Sequence, residues 1–390
     1  MENGLKRIVI LGSTGSIGRA AVEIVKAKEG GFDVVGLAAG ENAELLTEQL
    51  SDFPSARFAV KDKHTLNHIL SIDPSLEERS LGTGDEGLVR LIEETESELV
   101  VNAVVGIAGL KPTIEALEKG CMVALANKET IVTAGEYIFA RFPDARKRIV
   151  PIDSEHFSLL RCLEGYVENT DEIILTASGG PFFRNDHIDL GGVSVADVLN
   201  HPTWSMGKKV TVDSAHLLNK GFEVIEARWL FDFPYESIKI LVHPQSIVHS
   251  AIRLKDGSLI AHMAPADMRL PIMGALYYPE IVVFPWKALG LDELGKLEFI
   301  PLEKGMFPAF DIAMEAASKG GTATVVLNAA DEMGVEAFLK GRIGFLEIIE
   351  LIEEALSAHE PRTIEDIDDI FLADQWAKGF LKKKHPEIMD

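Results

Sequence analysis

Arg7 to Leu11 (RIVIL) is a short apolar, β-branched run that feeds directly into GSTGSIG and then into an apolar, Ala-rich stretch, AAVEIVKAK. Strand, glycine turn and helix start are predicted in that order. FDVVGLAAG begins about where a second strand of a Rossmann unit falls. SELVVNAVVG (97–106) and VALAN (123–127) read as later parallel strands. Further on, the pattern changes. ILTASGGPFF is a strand ending in a glycine pair, and HPQSIVHSAIRLKDGSLIAHM alternates like two paired strands around a KDGS turn. LEFIPLEKGMFPAF reads as a linker, and DIAMEAASKG, NAADEMGVEAFLKG and GFLEIIELIEEAL carry helical spacing. The predicted class is α/β: a Rossmann-like doubly wound sheet over 1–150, a central α+β catalytic domain over 151–285, a linker over 286–310 and a small helical bundle over 311–390.

The glycine turn gives the first domain its chemistry. Gly12 permits a tight turn, Gly15 lets backbone approach a pyrophosphate, and Gly18 allows helix to pack on strand. The helix N-terminus adds partial positive charge. The spacing is GxxGxxG, a variant of the commoner GxGxxG, and glycine turns also arise for structural reasons alone. The strands that follow favour a dinucleotide site over a bare α/β domain. VALAN runs into Asn127, Lys128 and Glu129, polar groups at the carboxyl end of a strand, where ligands bind in this architecture. The second strand ends in Gly40, Glu41 and Asn42. Glu41 favours the ribose hydroxyl of NAD, whereas Arg19 favours the phosphate of NADP, so the residues leave that choice open.

Charge and composition narrow the partners. The chain has 61 acids against 38 bases, a formal charge of −23, which would repel phosphates over most of the surface. Nucleic-acid binding is not expected, while a small anionic substrate needs only a local cluster of bases. Cys121 and Cys162 suggest no disulfide framework and fit a reducing compartment. No apolar run reaches membrane-span length and no signal-peptide pattern is seen, so a cytoplasmic enzyme without a membrane partner is expected.

In the central part, PIDSEH puts Asp153 and Glu155 two residues apart, on one side of an extended segment. Two adjacent carboxylates repel unless a proton or cation joins them, and a hard divalent ion is the natural resolution. A solvated acidic loop is the bland alternative and, for this motif alone, the better one. Ser178 with Gly179 and Gly180 suits an oxyanion, although a tight turn explains the glycines almost as well. HPTWSMGKK reads as a loop whose Trp204 and Met206 can close over a ligand. From Ser214 onward, SAHLLNKGFEVIEARWLF is predicted helical, with Asn219 and Glu223 four apart on one face and Lys220 beside them. Gly221 inside that helix costs about 1 kcal/mol relative to Ala, which points to close approach of another backbone. Charged helical residues are usually a solvated face. Here they follow a lid-like loop and the DSE segment, so Asp153, Glu155 and Glu223 are read as a three-carboxylate metal site. His201, Ser178, Ser214, Asn219 and Lys220 are read as holding an anionic, hydroxylated substrate.

GSTGSIG, LANKE, PIDSEH, ASGGPF, HPTWSMGKKVTVDSAHLLNKGFEVIEA and VHPQSIVHS, in that order and continuing through DMRLPI, resemble 1-deoxy-D-xylulose 5-phosphate reductoisomerase over nearly the whole chain. The resemblance implies metal-assisted skeletal rearrangement followed by hydride transfer from NADPH, giving 2-C-methyl-D-erythritol 4-phosphate for isoprenoid synthesis. It implies a three-part subunit assembled as a homodimer, with Mg²⁺, Mn²⁺ or Co²⁺ held by Asp153, Glu155 and Glu223. Ser178, Ser214, Asn219 and Lys220 would then grip the phosphate, and Ser154 and His201 would orient the sugar. Thr14, Gly15, Ser16, Ile17, Gly40, Glu41, Asn42, Asn127, Lys128, Glu129 and Gly207 would line the cofactor, under a lid carrying Trp204 and Met206. Two departures stand out: Glu41, where some relatives carry a base, and Ala264, where relatives usually carry glycine. A different two-domain NAD(P) dehydrogenase, acting on a semialdehyde or sugar phosphate without metal, is the alternative. A catalytically silent dinucleotide-binding regulator is a second, less favoured by the intact acids and lid.

Overall fold

A computed structural model of the chain describes residues 5–27, 31–184, 189–204 and 206–388. Seven strands form one parallel sheet: β1 (Lys6–Leu11), β2 (Phe32–Ala39), β3 (Arg57–Val60), β4 (Ser80–Thr83), β5 (Leu99–Asn102), β6 (Met122–Leu125) and β7 (Ile149–Pro151). Their order is β4-β3-β2-β1-β5-β6-β7. Ile8, Val9, Ile10 and Leu11 of β1 have no exposed surface, as expected of a central strand covered on both faces. The chain winds outward from β1 in one direction and from β5 in the other. The carboxyl ends of these two neighbours are therefore the topological switch point, where this architecture binds ligands.

A second sheet is mixed. β8 (Thr170–Ala177), β9 (Ile238–Val242), β10 (Val248–Leu254), β11 (Leu259–Met263) and β12 (Ile300–Pro301) lie in the order β11-β10-β8-β9-β12. The β10–β11 pair is the antiparallel hairpin that the alternating pattern predicts. β8 and β9 run parallel.

The chain divides into two compact units that are not consecutive stretches. The first gathers residues up to Thr130, Phe142–Phe157 and Asp267–Pro285, and holds the parallel sheet. The second gathers Ile131–Arg141, Ser158–Ala266 and everything from Trp286, and holds the mixed sheet. Four helices end the second unit: Pro308–Lys319, Thr322–Leu339, Glu347–Ala358 and Ile367–Lys384. Their apolar faces pack in one core with Leu218, Phe222 and Ile225, so the C-terminal helices and the Leu218–Phe231 helix share a core.

The Ser214–Phe231 stretch is not one helix. Lys208–Ala215 is helical, the chain turns at His216 and Leu217, and a second helix runs Leu218–Phe231. Leu217 sits at φ +60°, the left-handed region a non-glycine residue rarely adopts, and this breaks the continuous periodicity of the sequence. Lys208 and Lys209, which read as loop, open the first of these helices.

Candidate active site

The glycine turn does what its spacing implies. Gly12 has φ +80°, and a Cβ there would lie 2.5 Å from the carbonyl oxygen of Ala103, just past β5. A Cβ on Gly18 would lie 2.1 Å from the carbonyl oxygen of Gly12, so helix and turn touch only because Gly18 lacks one. Gly15 and Ser16 are exposed, with Thr14 and Ile17 half-buried beside them at the N-terminus of the Ser16–Ala27 helix. This is an open cradle of backbone N–H groups and a helix dipole.

Gly40, Glu41 and Asn42 follow β2 and are exposed. Asn42 caps the Ala43–Asp52 helix, its Oδ1 accepting from the Leu45 N–H at 3.0 Å. Glu41 is not alone: Lys61, just after β3, places its Nζ 2.6 Å from the Glu41 carboxylate. The pattern reading missed Lys61 because β3 is only four residues long and was not recognised as a strand. Arg19, the base the sequence suggests, is exposed on the glycine-turn helix.

Asn127, Lys128 and Glu129 are all buried. The Asn127 amide donates to the carbonyl oxygens of Val104 (2.7 Å) and Gly106 (2.8 Å), and its oxygen accepts from the Thr130 N–H at 2.9 Å. It thereby fastens the loop after β5, at the switch point. Lys128 instead reaches Asp153, with Nζ 3.1 Å from Oδ2.

Asp153 and Glu155 do not lie on one side of a strand. Asp153 precedes the Ser154–Leu163 helix, and its Oδ1 accepts from the N–H groups of Glu155 (3.0 Å) and His156 (3.2 Å). Glu155 lies in the first turn, where the Ser154 hydroxyl donates to it at 2.7 Å. Both carboxylates thus lie at a helix N-terminus, whose dipole favours negative charge, and Asp153 also faces the Lys128 ammonium.

In the second unit, Ser178 follows β8 and is succeeded by Gly179 (φ +91°) and Gly180 (φ +74°), a turn that needs glycine at both places. The Ser178 hydroxyl lies 3.2 Å from His201 Nε2. His201 Nδ1 accepts from the backbone N–H groups of Thr203 (3.2 Å) and Trp204 (3.0 Å), which fixes the tautomer with hydrogen on Nε2. Burial pushes the His201 pKa down, favouring that neutral form. Trp204 and Met206 are half-buried, and the Trp204 ring centroid is 5.8 Å from that of His249. Gly207 is exposed at the end of this loop.

Ser214 lies near the end of the Lys208–Ala215 helix, its hydroxyl donating back to the Val210 carbonyl at 2.7 Å. One turn of the next helix brings Asn219, Lys220 and Glu223 together. The Asn219 amide donates to Glu223 Oε1 at 2.5 Å and the Lys220 ammonium to Oε2. Lys220 is 5% exposed and Glu223 2%, so this is a buried ion pair rather than a solvated face. Gly221 meets a helix as expected, but through a side chain: a Cβ there would lie 2.5 Å from the Ala313 methyl.

Three family models match: 1-deoxy-D-xylulose 5-phosphate reductoisomerase over residues 8–135, and two C-terminal domains of the same enzyme over 149–231 and 263–380. A 1-deoxy-D-xylulose 5-phosphate reductoisomerase of Caldanaerobacter subterraneus is 45% identical over 98% of this chain and 100% of its own. One of Geobacter metallireducens is 46% identical over 96% and 97%. The fold matches solved structures too. The Zymomonas mobilis enzyme in complex with NADPH has a TM-score of 0.86 at 34% identity, covering 96% of this chain and 97% of that one. A DOX-P reductoisomerase in complex with NADPH, fosmidomycin and magnesium has 0.89 at 30% identity, covering 98% of both. Sequence and fold agree: the chain belongs to the 1-deoxy-D-xylulose 5-phosphate reductoisomerase family.

Proposed function

We propose that the protein rearranges 1-deoxy-D-xylulose 5-phosphate and reduces the product to 2-C-methyl-D-erythritol 4-phosphate with NADPH. The observation that carries the reading is the buried Asn219–Lys220–Glu223 turn, held ready for charge in a chain of this family. The residues fit both absent groups. The glycine cradle, closed to any Cβ at Gly12 and Gly18, suits a pyrophosphate. Asp153, Glu155 and Glu223 offer the all-oxygen set that Mg²⁺, Mn²⁺ or Co²⁺ accepts. Bound NADPH supplies hydride, and the divalent ion supplies Lewis-acid stabilisation of oxyanion charge.

The chain's own residues bind and orient. Lys220 brings a positive charge to the phosphate, and the Ser178 and Ser214 hydroxyls and the Asn219 amide supply neutral donors. His201, neutral with hydrogen on Nε2, donates to the substrate side of the site, and Ser154 holds Glu155 in line. Lys128 keeps Asp153 charged. Trp204 and Met206 exclude water when the 202–207 loop closes. Gly40, Asn42, Lys61, Asn127, Glu129 and Gly207 would line the bound NADPH. Among the described residues no helix is long and apolar enough to cross a membrane. We place the enzyme in the cytoplasm as a homodimer, which the exposed apolar side chains of edge strand β11, Leu259 and Met263, support.

Turnover of 1-deoxy-D-xylulose 5-phosphate with NADPH, with and without a divalent ion, tests the reading, and NMR identifies the product. A branched tetrol phosphate formed only with metal is the expected result. Simple reduction without skeletal change, independent of metal, would instead make the protein an ordinary dehydrogenase.

A further inference from the structure

A second polar cluster lies in the second unit, outside the residues given a role so far. Lys209 opens the Lys208–Ala215 helix and reaches two carboxylates: Asp213, one turn on, at 2.7 Å, and Asp331, on the Thr322–Leu339 helix, at 2.5 Å. Asp213 is 2% exposed and Asp331 not at all. Among the described residues the other oxygen of each has no hydrogen-bond partner, nor has either ring nitrogen of His216 beside them. Donor atoms of Asp213, His216 and Asp331 lie within 4.8 Å of one another.

Charge counting shows what is missing. Two carboxylates and one ammonium leave an unmatched negative charge among buried groups, and an unpaired buried charge is among the most costly features a fold can carry. One added cation or proton closes the balance. Lys209 already stands between the carboxylates, so a metal would sit against an ammonium. Protonated His216 would bury two more donors without acceptors, and its ring stacks on Phe345 at 5.3 Å. A proton on a carboxylate puts no metal against the ammonium and adds one donor rather than two, with donor atoms of the other acid and of neutral His216 within 4.8 Å. Asp331 is the more deeply buried, and it faces Asp213 and the neighbouring Glu332 as well as Lys209. Beyond Glu332 come Lys378, which bonds to it, and Asp374, both on the Ile367–Lys384 helix.

We infer that Asp331 is a positioning residue that, as a neutral carboxylic acid, locks the Lys208–Ala215 helix to the C-terminal helices and so fixes the phosphate cradle. The coupling is physical. Ser214 follows Asp213 directly, and a Cβ on Gly180 would lie 2.6 Å from the Ser214 carbonyl oxygen, so the Ser178–Gly180 turn rests on the end of this helix. Desolvation and Asp213 push the Asp331 pKa well above the usual carboxylate range. The sign follows: the acid form is held below that folded pKa, and the lock weakens as pH rises through it. This inference rests on the proposed phosphate-binding role of Ser214.

Asp331→Asn, Asp331→Ala and Ser214→Ala in the full-length enzyme, assayed with NADPH and Mg²⁺ from about pH 6 to about pH 9, test it together with infrared spectra. Asn mimics the neutral acid, so Asp331→Asn should keep KM for 1-deoxy-D-xylulose 5-phosphate within about twofold and remove any alkaline rise in KM. Asp331→Ala should raise KM roughly tenfold with a smaller change in kcat. The wild-type spectrum should show a carboxylic-acid C=O stretch at neutral pH that Asp331→Asn lacks. If Asp331→Ala leaves KM unchanged, the positioning role is wrong. If Asp331→Asn is as damaged as Asp331→Ala, or the band is missing, the neutral acid is wrong. A stoichiometric divalent ion that survives Glu223→Gln but is lost from Asp331→Asn would replace the proton with a metal and overturn the inference. An unchanged KM in Ser214→Ala alone would sink the phosphate reading while leaving the acid standing.

Discussion

At the scale of the residue, the proposed site sets polar groups together away from solvent. Glu223 accepts from both Asn219 and Lys220 while 2% exposed. Glu223→Gln keeps the shape and the acceptor oxygen but removes the charge. It should abolish most turnover at ordinary Mg²⁺ while leaving NADPH binding and the circular-dichroism spectrum intact; near-normal activity would remove Glu223 from the metal site. Glu41 poses the opposite problem, a charge where the cofactor phosphate should lie. A carboxylate about 4 Å from a phosphate costs on the order of 1 kcal/mol per unit charge even in a water-like dielectric. Lys61, 2.6 Å from Glu41, offsets it and offers the phosphate an ammonium. NADPH should therefore remain preferred, Glu41→Lys should tighten NADPH with little effect on NADH, and Lys61→Ala should weaken NADPH selectively. Steady-state constants for both cofactors decide this, and a wild-type preference for NADH would reverse the assignment. The Asn219–Glu223 contact was legible in sequence because residues four apart on a helix share a face. Lys61 and Asp331 were not, since each matters only through a tertiary neighbour.

At the scale of the element, periodicity read the long pieces well and the joints poorly. The glycine turn and the β10–β11 hairpin follow from local rules, φ freedom in one and alternation in the other. The break at Leu217 was invisible because apolar spacing continues across it; only a φ of +60° ends the helix there. The Asp153–Glu155 pair was misplaced for a related reason. β7 stops at Pro151 and a helix starts at Ser154, too abruptly for a period of two to be seen failing. Two predictions belong here. Gly221→Ala would drive a methyl to 2.5 Å from the Ala313 Cβ, so the two helices must separate; a loss of about 1–3 kcal/mol is expected in denaturant unfolding, and none would mean the helices yield freely. Trp204→Ala removes a half-buried ring from the 202–207 loop, where it lies beside His249. KM for the sugar phosphate should rise, with at most about 1 kcal/mol of stability lost. A severe drop in thermal stability would place Trp204 in the core and end the lid reading.

At the scale of the whole molecule, the order of elements was easier to anticipate than their grouping. Consecutive sequence suggested consecutive domains. The first unit instead reclaims Asp267–Pro285, whose Arg269–Tyr277 helix packs on the Ser16–Ala27 helix and the β6–β7 edge of the parallel sheet. Long-range packing of this kind leaves no local trace. Self-association is also a property of the whole chain. On β11, Leu259, Ala261 and Met263 face outward and are exposed, on a strand paired on one side only. A bare apolar edge is a template for a second copy unless something blunts it. Against this stands a charge of −23 on each chain, which two copies must bring together. Apolar contact is indifferent to salt, whereas self-repulsion is screened once the Debye length falls to about 10 Å near 0.1 M. The proposed dimer should therefore tighten as salt rises, the reverse of an association built on ion pairs. Leu259→Asp, which adds a charge to the seam on each side, should shift sedimentation velocity profiles toward monomer, most clearly at low salt. Dimers that loosen with salt, or that are indifferent to Leu259→Asp, would move the interface away from β11.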